Sequence, residues 1–325
     1  MTATLQLATL AVLAAMAVLA PQPARAEQVN CFNYGHPCPA TTPFCNEALK
    51  TCSSSLWYGY SSNGCVANAS YAPDSCGEIS ACRSARYDFD DPNQVTQLNN
   101  YQGNPDKQPF IDDTGNTYIQ DGQLFLNMQY NAQAGRGLLS RVVSTRKYYY
   151  GNYTARIRAS EGKGFIYTWI WKSNLFNPNF GDELDWEFVP GYRKDETQTN
   201  MFTMGREDFH YGRYHLIENG NKSVADWHTY GFYYTPEVVQ WTFDGVVVRS
   251  QTPNATNPIP RHNGWLFASI WDTCQQQPGT IEWAGGPSEW CGAGATDASK
   301  KLAWRMAIDY IDVQCLNGTY YSIIS

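Results

Sequence analysis

The chain has 325 residues, 16% of them charged and 14% aromatic, and a formal net charge of −7. That length supplies ample material for a hydrophobic core, in one large domain or two modest ones. The acidic balance leaves no basic footprint for gripping phosphates, so nucleic acid is not expected as a partner. The 11 Trp and 22 Tyr exceed what a core needs, and flat rings with one polar edge suit ligands that are apolar on their faces and hydroxylated on their rims. Sugars fit that description.

Residues 5–20 are nearly all apolar, and Ala24-Arg25-Ala26 places small residues at both cleavage-determining positions. Residues 1–26 therefore read as a signal peptide, and the run is shorter than the roughly 20 residues that span a bilayer. No other segment is apolar enough to act as a transmembrane segment, so a secreted protein, extracellular or in a cell wall, is expected. Residues 27–84 form a second zone, rich in Cys, Pro, Ser and Asn and without apolar periodicity. Such a segment depends on disulfides rather than on a core. It holds Cys31, Cys38, Cys45, Cys52, Cys65, Cys76 and Cys82, while Cys274, Cys291 and Cys315 lie near the other end. Seven is odd, so full oxidation requires at least one bridge between the two groups. No C-x-x-C pair is present, and His36, His210, His215, His228 and His262 show no paired metal spacing; no metal or cofactor is called for. Sequons at Asn68, Asn152, Asn221, Asn254 and Asn317 fit a glycosylated extracellular protein.

From about Tyr87 the texture changes to short β-type runs between turn signals. They are 123–130, 138–145, 153–158, 165–171, 183–189, 227–234, 238–243, 246–250, 265–271 and 302–315. Asp244-Gly245 joins two of them as a type I′ hairpin turn, which demands positive φ angles. About ten strands without a long helix make residues 85–325 an all-β sandwich, against which the cysteine-rich segment is expected to pack. Trp169 and Trp171, two residues apart on one face, fit either the core of that sandwich or the wall of a ligand site. Arg141 and Arg156 fall on strands, where pairing with carboxylates is expected.

In Gly181-Asp182-Glu183-Leu184-Asp185-Trp186-Glu187-Phe188-Val189, alternation places Glu183, Asp185 and Glu187 on one face and Leu184, Trp186 and Phe188 on the other. Three carboxylates on one strand face repel one another, and folding gains nothing from that alone. Chemistry does: retaining glycoside hydrolysis needs one ionised carboxylate and one protonated carboxyl about 5–5.5 Å apart. Two strand steps separate Cα atoms by about 7 Å and four by about 13 Å, so Glu183 and Glu187 must lean toward each other over the shorter Asp185. The alternative uses of such a face are plain solvation or calcium binding.

Glu-Leu-Asp-Trp-Glu also resembles the signature of glycoside hydrolase family 16. The resemblance extends through Trp227–Pro236 and Val239–Gly245, which look like the family's long hairpin. Gly279–Gly286 is similar to a segment of the fungal Crh-type branch, and Cys38, Cys45, Cys52, Cys65 and Cys76 look like the cysteine-rich leader of some fungal members. The resemblance implies a jelly-roll, concanavalin A-like β-sandwich whose concave sheet carries the acidic strand. It implies Glu183 as nucleophile, Asp185 as assisting residue and Glu187 as acid/base, with Gln198, Asn200, Trp271 and Trp283 as substrate-binding residues. The strand lacks the extra residue of the bulged β-1,3-glucanases, which favours the unbulged group containing lichenases, xyloglucan-active enzymes and the Crh branch. Many wall-bound members end in a Ser/Thr-rich stretch and a lipid-anchor signal; here the sequence closes on Tyr320–Ser325, as a released protein or a piece lacking its end. The leader has no adjacent Cys-Cys pair of the hevein type, and chitin binding is not assigned to it.

The reading is thus a monomeric cell-wall enzyme with polysaccharide as its partner, moving chitin chains onto β-glucan. An endo-β-glucanase shares every proposed catalytic residue, and a non-catalytic lectin-like wall protein is the alternative of another class.

Overall fold

The computed structural model describes residues 44–46, 51–53, 60–61, 83–101, 105–173, 182–203, 206–207, 212–217, 222–253, 258–260, 264–292, 296 and 303–316. The expected signal peptide, the sequons at Asn68, Asn221, Asn254 and Asn317, and His36, His210 and His262 lie outside these residues, as does most of the cysteine-rich segment.

Two nine-stranded sheets carry the fold. In the first, the hydrogen-bonded order runs Arg206–Glu207, Glu196–Thr203, Glu183–Phe188, Phe165–Lys172, Trp265–Asp272, Ser140–Ser144, Phe110–Asp112, Val95–Gln97, and Arg213–Leu216 also pairs with Glu196–Thr203. The second runs Val246–Gln251, Val239–Phe243, His228–Tyr234, Gly151–Ala159, Ala303–Cys315, Gln123–Asn131, Thr117–Gln120, with Ala85–Tyr87 and Arg136–Gly137 as additions. All pairings are antiparallel except that of Val95–Gln97 with Phe110–Asp112. The expected jelly-roll β-sandwich is what forms.

Between the sheets lies an aromatic core. Trp169, Trp171, Trp186 and Trp241 are fully buried, and Trp171 meets Tyr234 across the sandwich at 5.0 Å between ring centroids while Trp186 meets Tyr230 at 5.3 Å. The two roles open to Trp169 and Trp171 thus resolve to the core. Two of these buried indoles find acceptors across the sandwich: Trp186 Nε1 donates to the Gly231 carbonyl and Trp241 Nε1 to the Asp185 carbonyl, both at 3.1 Å. These two bonds run between the sheets and fix the acidic strand to its support.

The hairpin turn has φ of 47° at Asp244 and 79° at Gly245, as its type requires. His228 Nδ1 lies 2.8 Å from Asp244 Oδ2, so His228 is a buried prop of that turn. Arg141 pairs with Asp113 and Arg156 with Asp309. Strands that periodicity does not reveal include Glu196–Thr203, whose polar residues occupy both faces. A six-residue helix, Pro278–Trp283, is also new; it starts with Pro at a first-turn position, where a missing N–H costs nothing. Cys274 and Cys291 are bonded to each other and Cys315 is also in a disulfide, so its partner falls to the N-terminal group, as the odd count requires.

Trp186→Ala empties a fully buried site and removes the Gly231 bond, and should cost about 3–5 kcal/mol in urea unfolding. Val246→Thr, on a side chain 65% exposed, should stay within about 0.5 kcal/mol.

Candidate active site

The acidic strand pairs in unbroken register on both sides. Lys172, Ile170 and Thr168 stand opposite Glu183, Asp185 and Glu187 on one flank, and Phe202, Asn200 and Gln198 stand opposite them on the other. Paired residues of an antiparallel sheet point the same way, so all nine side chains share the face turned away from the core. No register shift interrupts the strand, and it is of the unbulged kind.

The three carboxyls occupy different environments. Glu183 is paired with Lys172, whose Nζ lies 2.5 Å from Glu183 Oε2. Asp185 is only 2% exposed, and neither of its carboxyl oxygens receives a hydrogen bond from another part of the protein. Burial above all, then the charges of Glu183 and Glu187, holds the Asp185 carboxyl well above the ordinary carboxylate range, and the Lys172 charge offsets this only in part. Asp185 therefore resists ionisation and adds less charge between the two glutamates than a solvated carboxylate would. Glu187 remains partly accessible, beside Thr168, whose hydroxyl bonds that of Ser269 at 2.7 Å.

The four expected substrate-binding residues divide into two groups. Gln198 Oε1 accepts the Trp283 indole N–H at 2.7 Å, and the Trp283 ring lies 6.5 Å from that of Trp271. Both indoles are partly exposed, and with Gln198 they form one cluster flanking Glu187. The helix bearing Trp283 is anchored by Gly285, which has φ of 77° and whose added Cβ would stand 2.2 Å from the Gly191 carbonyl oxygen. Asn200 sits apart from this cluster, opposite Asp185, with its Oδ1 engaged by the Met201 amide at 2.9 Å.

Lys172 is the neighbour that sequence reasoning passed over. A signal for it existed: with Trp169 and Trp171 in the core, alternation sends Thr168, Ile170 and Lys172 to the acidic face. Beyond Lys172 the same face becomes apolar, with Trp265, Phe267, Val143 and Ile111 packed under Leu98 and Tyr101. Among the described residues no group of three or more His, Cys, Asp or Glu could hold a metal ion.

An all-β sandwich with alternating carboxyls on one strand and tryptophans beside them describes a class of polysaccharide-processing folds. Residues 105–285 match glycosyl hydrolases family 16, and the chain belongs to that family of glycoside hydrolase-type enzymes. Among curated relatives, Crh-like protein 2 of Aspergillus fumigatus is 29% identical over 278 residues, 82% of this chain and 58% of that protein. Congo red hypersensitive protein 2 of Saccharomyces cerevisiae is 28% identical over 305 residues, covering 90% and 60%. The chain thus spans less than two thirds of the length of these relatives. Apo Crh5 transglycosylase shares the fold with a TM-score of 0.57 at 20% identity, covering 73% of this chain and 86% of that one. Bacillus licheniformis beta-glucanase does so with 0.56 at 16%, covering 73% and 100%.

Asp185 gives a test with a definite sign. Its raised native pKa means that the folded protein keeps a proton that the unfolded chain releases above about pH 4. The contribution of Asp185 to stability is complete below that pH and declines as pH rises toward its native pKa. Asp185→Asn should therefore melt above the wild type at pH 7, by about 2–4 °C for each kcal/mol of relief. By about pH 3, where both states are protonated, thermal unfolding should show the gap closed.

Proposed function

We propose that this chain is a retaining glycosidase of cell-wall polysaccharide that works mainly by transfer, carrying chitin chains onto β-glucan. The observation behind the proposal is the unequal environment of three carboxyls on one unbroken strand face: Glu183 ion-paired, Asp185 buried and resistant to ionisation, Glu187 accessible. Retaining chemistry needs those inequalities. A Glu183 oxygen attacks the anomeric carbon while the glycosidic C–O bond breaks and Glu187 gives its proton to the leaving oxygen. Asp185, buried between them, resists ionisation and so limits the charge repulsion that Glu183 meets. Glu187 then removes a proton from the incoming hydroxyl, whose oxygen displaces Glu183 from the anomeric carbon.

The incoming hydroxyl decides the reaction class. Trp271 and Trp283 flank Glu187, the side on which a leaving or entering sugar must sit, and aromatic faces there favour a glycan hydroxyl over water. The likeness to proteins named Crh points the same way, and a wall glycan as substrate implies a protein working outside the cell. A second reading, endo-β-glucanase, has the fold likeness to the Bacillus enzyme behind it and uses the same carboxyls.

Incubation with chitin or β-1,3-glucan oligosaccharides and a fluorescent acceptor separates the two. Transfer predicts labelled polymer; reducing ends without labelled polymer would establish hydrolysis. Glu183→Gln and Glu187→Gln should each lower the rate by about 10³-fold or more, and unchanged processing by both variants would remove the enzymatic assignment from these residues.

A further inference from the structure

Lys172 ends the strand Phe165–Lys172 and stands between Glu183 and Trp265 in the sheet. Its side chain is 17% exposed and that of Glu183 is 15%. Ile170 precedes it on the same face, and Trp265 and Phe267 flank the two on the adjoining strand. An ammonium in such surroundings carries a desolvation cost that an apolar side chain would avoid, and its ion-pair partner is the proposed nucleophile.

That pairing has a chemical sequel. When the Glu183 oxygen bonds to the anomeric carbon, the C–O bond to the leaving sugar breaks and Glu187 supplies the proton to that oxygen. Glu183 is then a neutral ester. Lys172 loses its counter-charge while still partly buried, so an acceptor on the donor sugar must take over. In a retaining site the substituent at C2 lies beside the nucleophile. A glucan presents a hydroxyl there; chitin presents an acetamido group, whose carbonyl is a pure acceptor and reaches further. A de-acetylated unit presents an amine that is cationic when protonated, which Lys172 repels. Lys147, with its Nζ 4.0 Å from the Trp265 ring centroid, adds a second positive charge at the same end of the face.

We propose that Lys172 is a specificity-determining residue that reads the C2 substituent of the donor sugar over Glu183, favouring 2-acetamido over 2-hydroxyl and excluding 2-ammonium. The inference rests on the chitin-donor reading above. Its test measures transfer to a labelled β-1,3-glucan oligosaccharide from three donors: acetylated chito-oligosaccharide, β-glucan oligosaccharide and de-acetylated chito-oligosaccharide.

The wild type should rank them in that order. Because Lys172 also balances the Glu183 charge, Lys172→Met should lower kcat/KM for both donors, and for the acetylated donor by about tenfold more than for the glucan donor. Lys172→Gln, which keeps an N–H donor but no charge, should retain part of the acetamido preference and admit the de-acetylated donor. Thermal melting identifies the variants that fold, and Lys172→Gln carries the test if Lys172→Met does not. A wild type that uses glucan donors alone overturns the chitin-donor reading. A wild type that uses chitin, with variants that fall equally on all donors or keep its ranking, overturns the role of Lys172 alone.

Discussion

Three carboxyl groups on successive outward positions of one strand cannot all be charged without cost, and the site is organised around that constraint. Two strand steps, about 7 Å, separate each from the next, close enough for charge repulsion where the middle carboxyl is cut off from water. The repulsion is relieved in two ways. Burial opposes the charge of Asp185, and the Lys172 ammonium offsets that of Glu183. Glu187 keeps access to solvent and a polar flank in Thr168 and Ser269. The same carboxyl chemistry in three side chains thereby meets three different environments.

The sandwich holds this distribution in place. Leu184, Trp186 and Phe188 fill the core on the reverse side of the same six-residue strand, so a slip of one residue would bury the carboxylates and expose a tryptophan. The Trp241 indole bonds the Asp185 carbonyl from the second sheet, and Trp186 reaches back to Gly231. Moving Asp185 therefore means breaking the packing between sheets, which keeps its carboxyl away from water. On the far flank, the Trp283–Gln198 bond spans 85 positions of sequence. It converts a short helix and an edge-side strand into one wall beside Glu187.

The acidic strand was legible in sequence because its two faces differ at every step. Neighbouring elements lacked that contrast. Phe165–Lys172 is buried on both sides along almost its whole length, so its apolar run left the roles of Trp169 and Trp171 open. Glu196–Thr203 is polar on both faces, with Thr197 and Thr199 buried, and no period survives in it. Gln198 and Asn200 were reached through family resemblance alone. Pro278–Trp283 is too short for helical periodicity to register. The Lys172–Glu183 pair needed the strand partners, since no local pattern brings residues 172 and 183 together. The odd cysteine count, by contrast, required only arithmetic, and the Cys274–Cys291 bond agrees with it.

The central claim is that Glu183, alone of the three, attacks sugar carbon. Trypsin cutting after Lys172 and Arg193 releases Ser173–Arg193, a single peptide that contains all three carboxyls. Rapid acid quenching during turnover, followed by mass spectrometry of that peptide, would capture the ester. The account predicts a glycosyl mass increment that fragmentation places on Glu183. A sugar on Asp185 or Glu187, or turnover that never modifies the peptide, would contradict it.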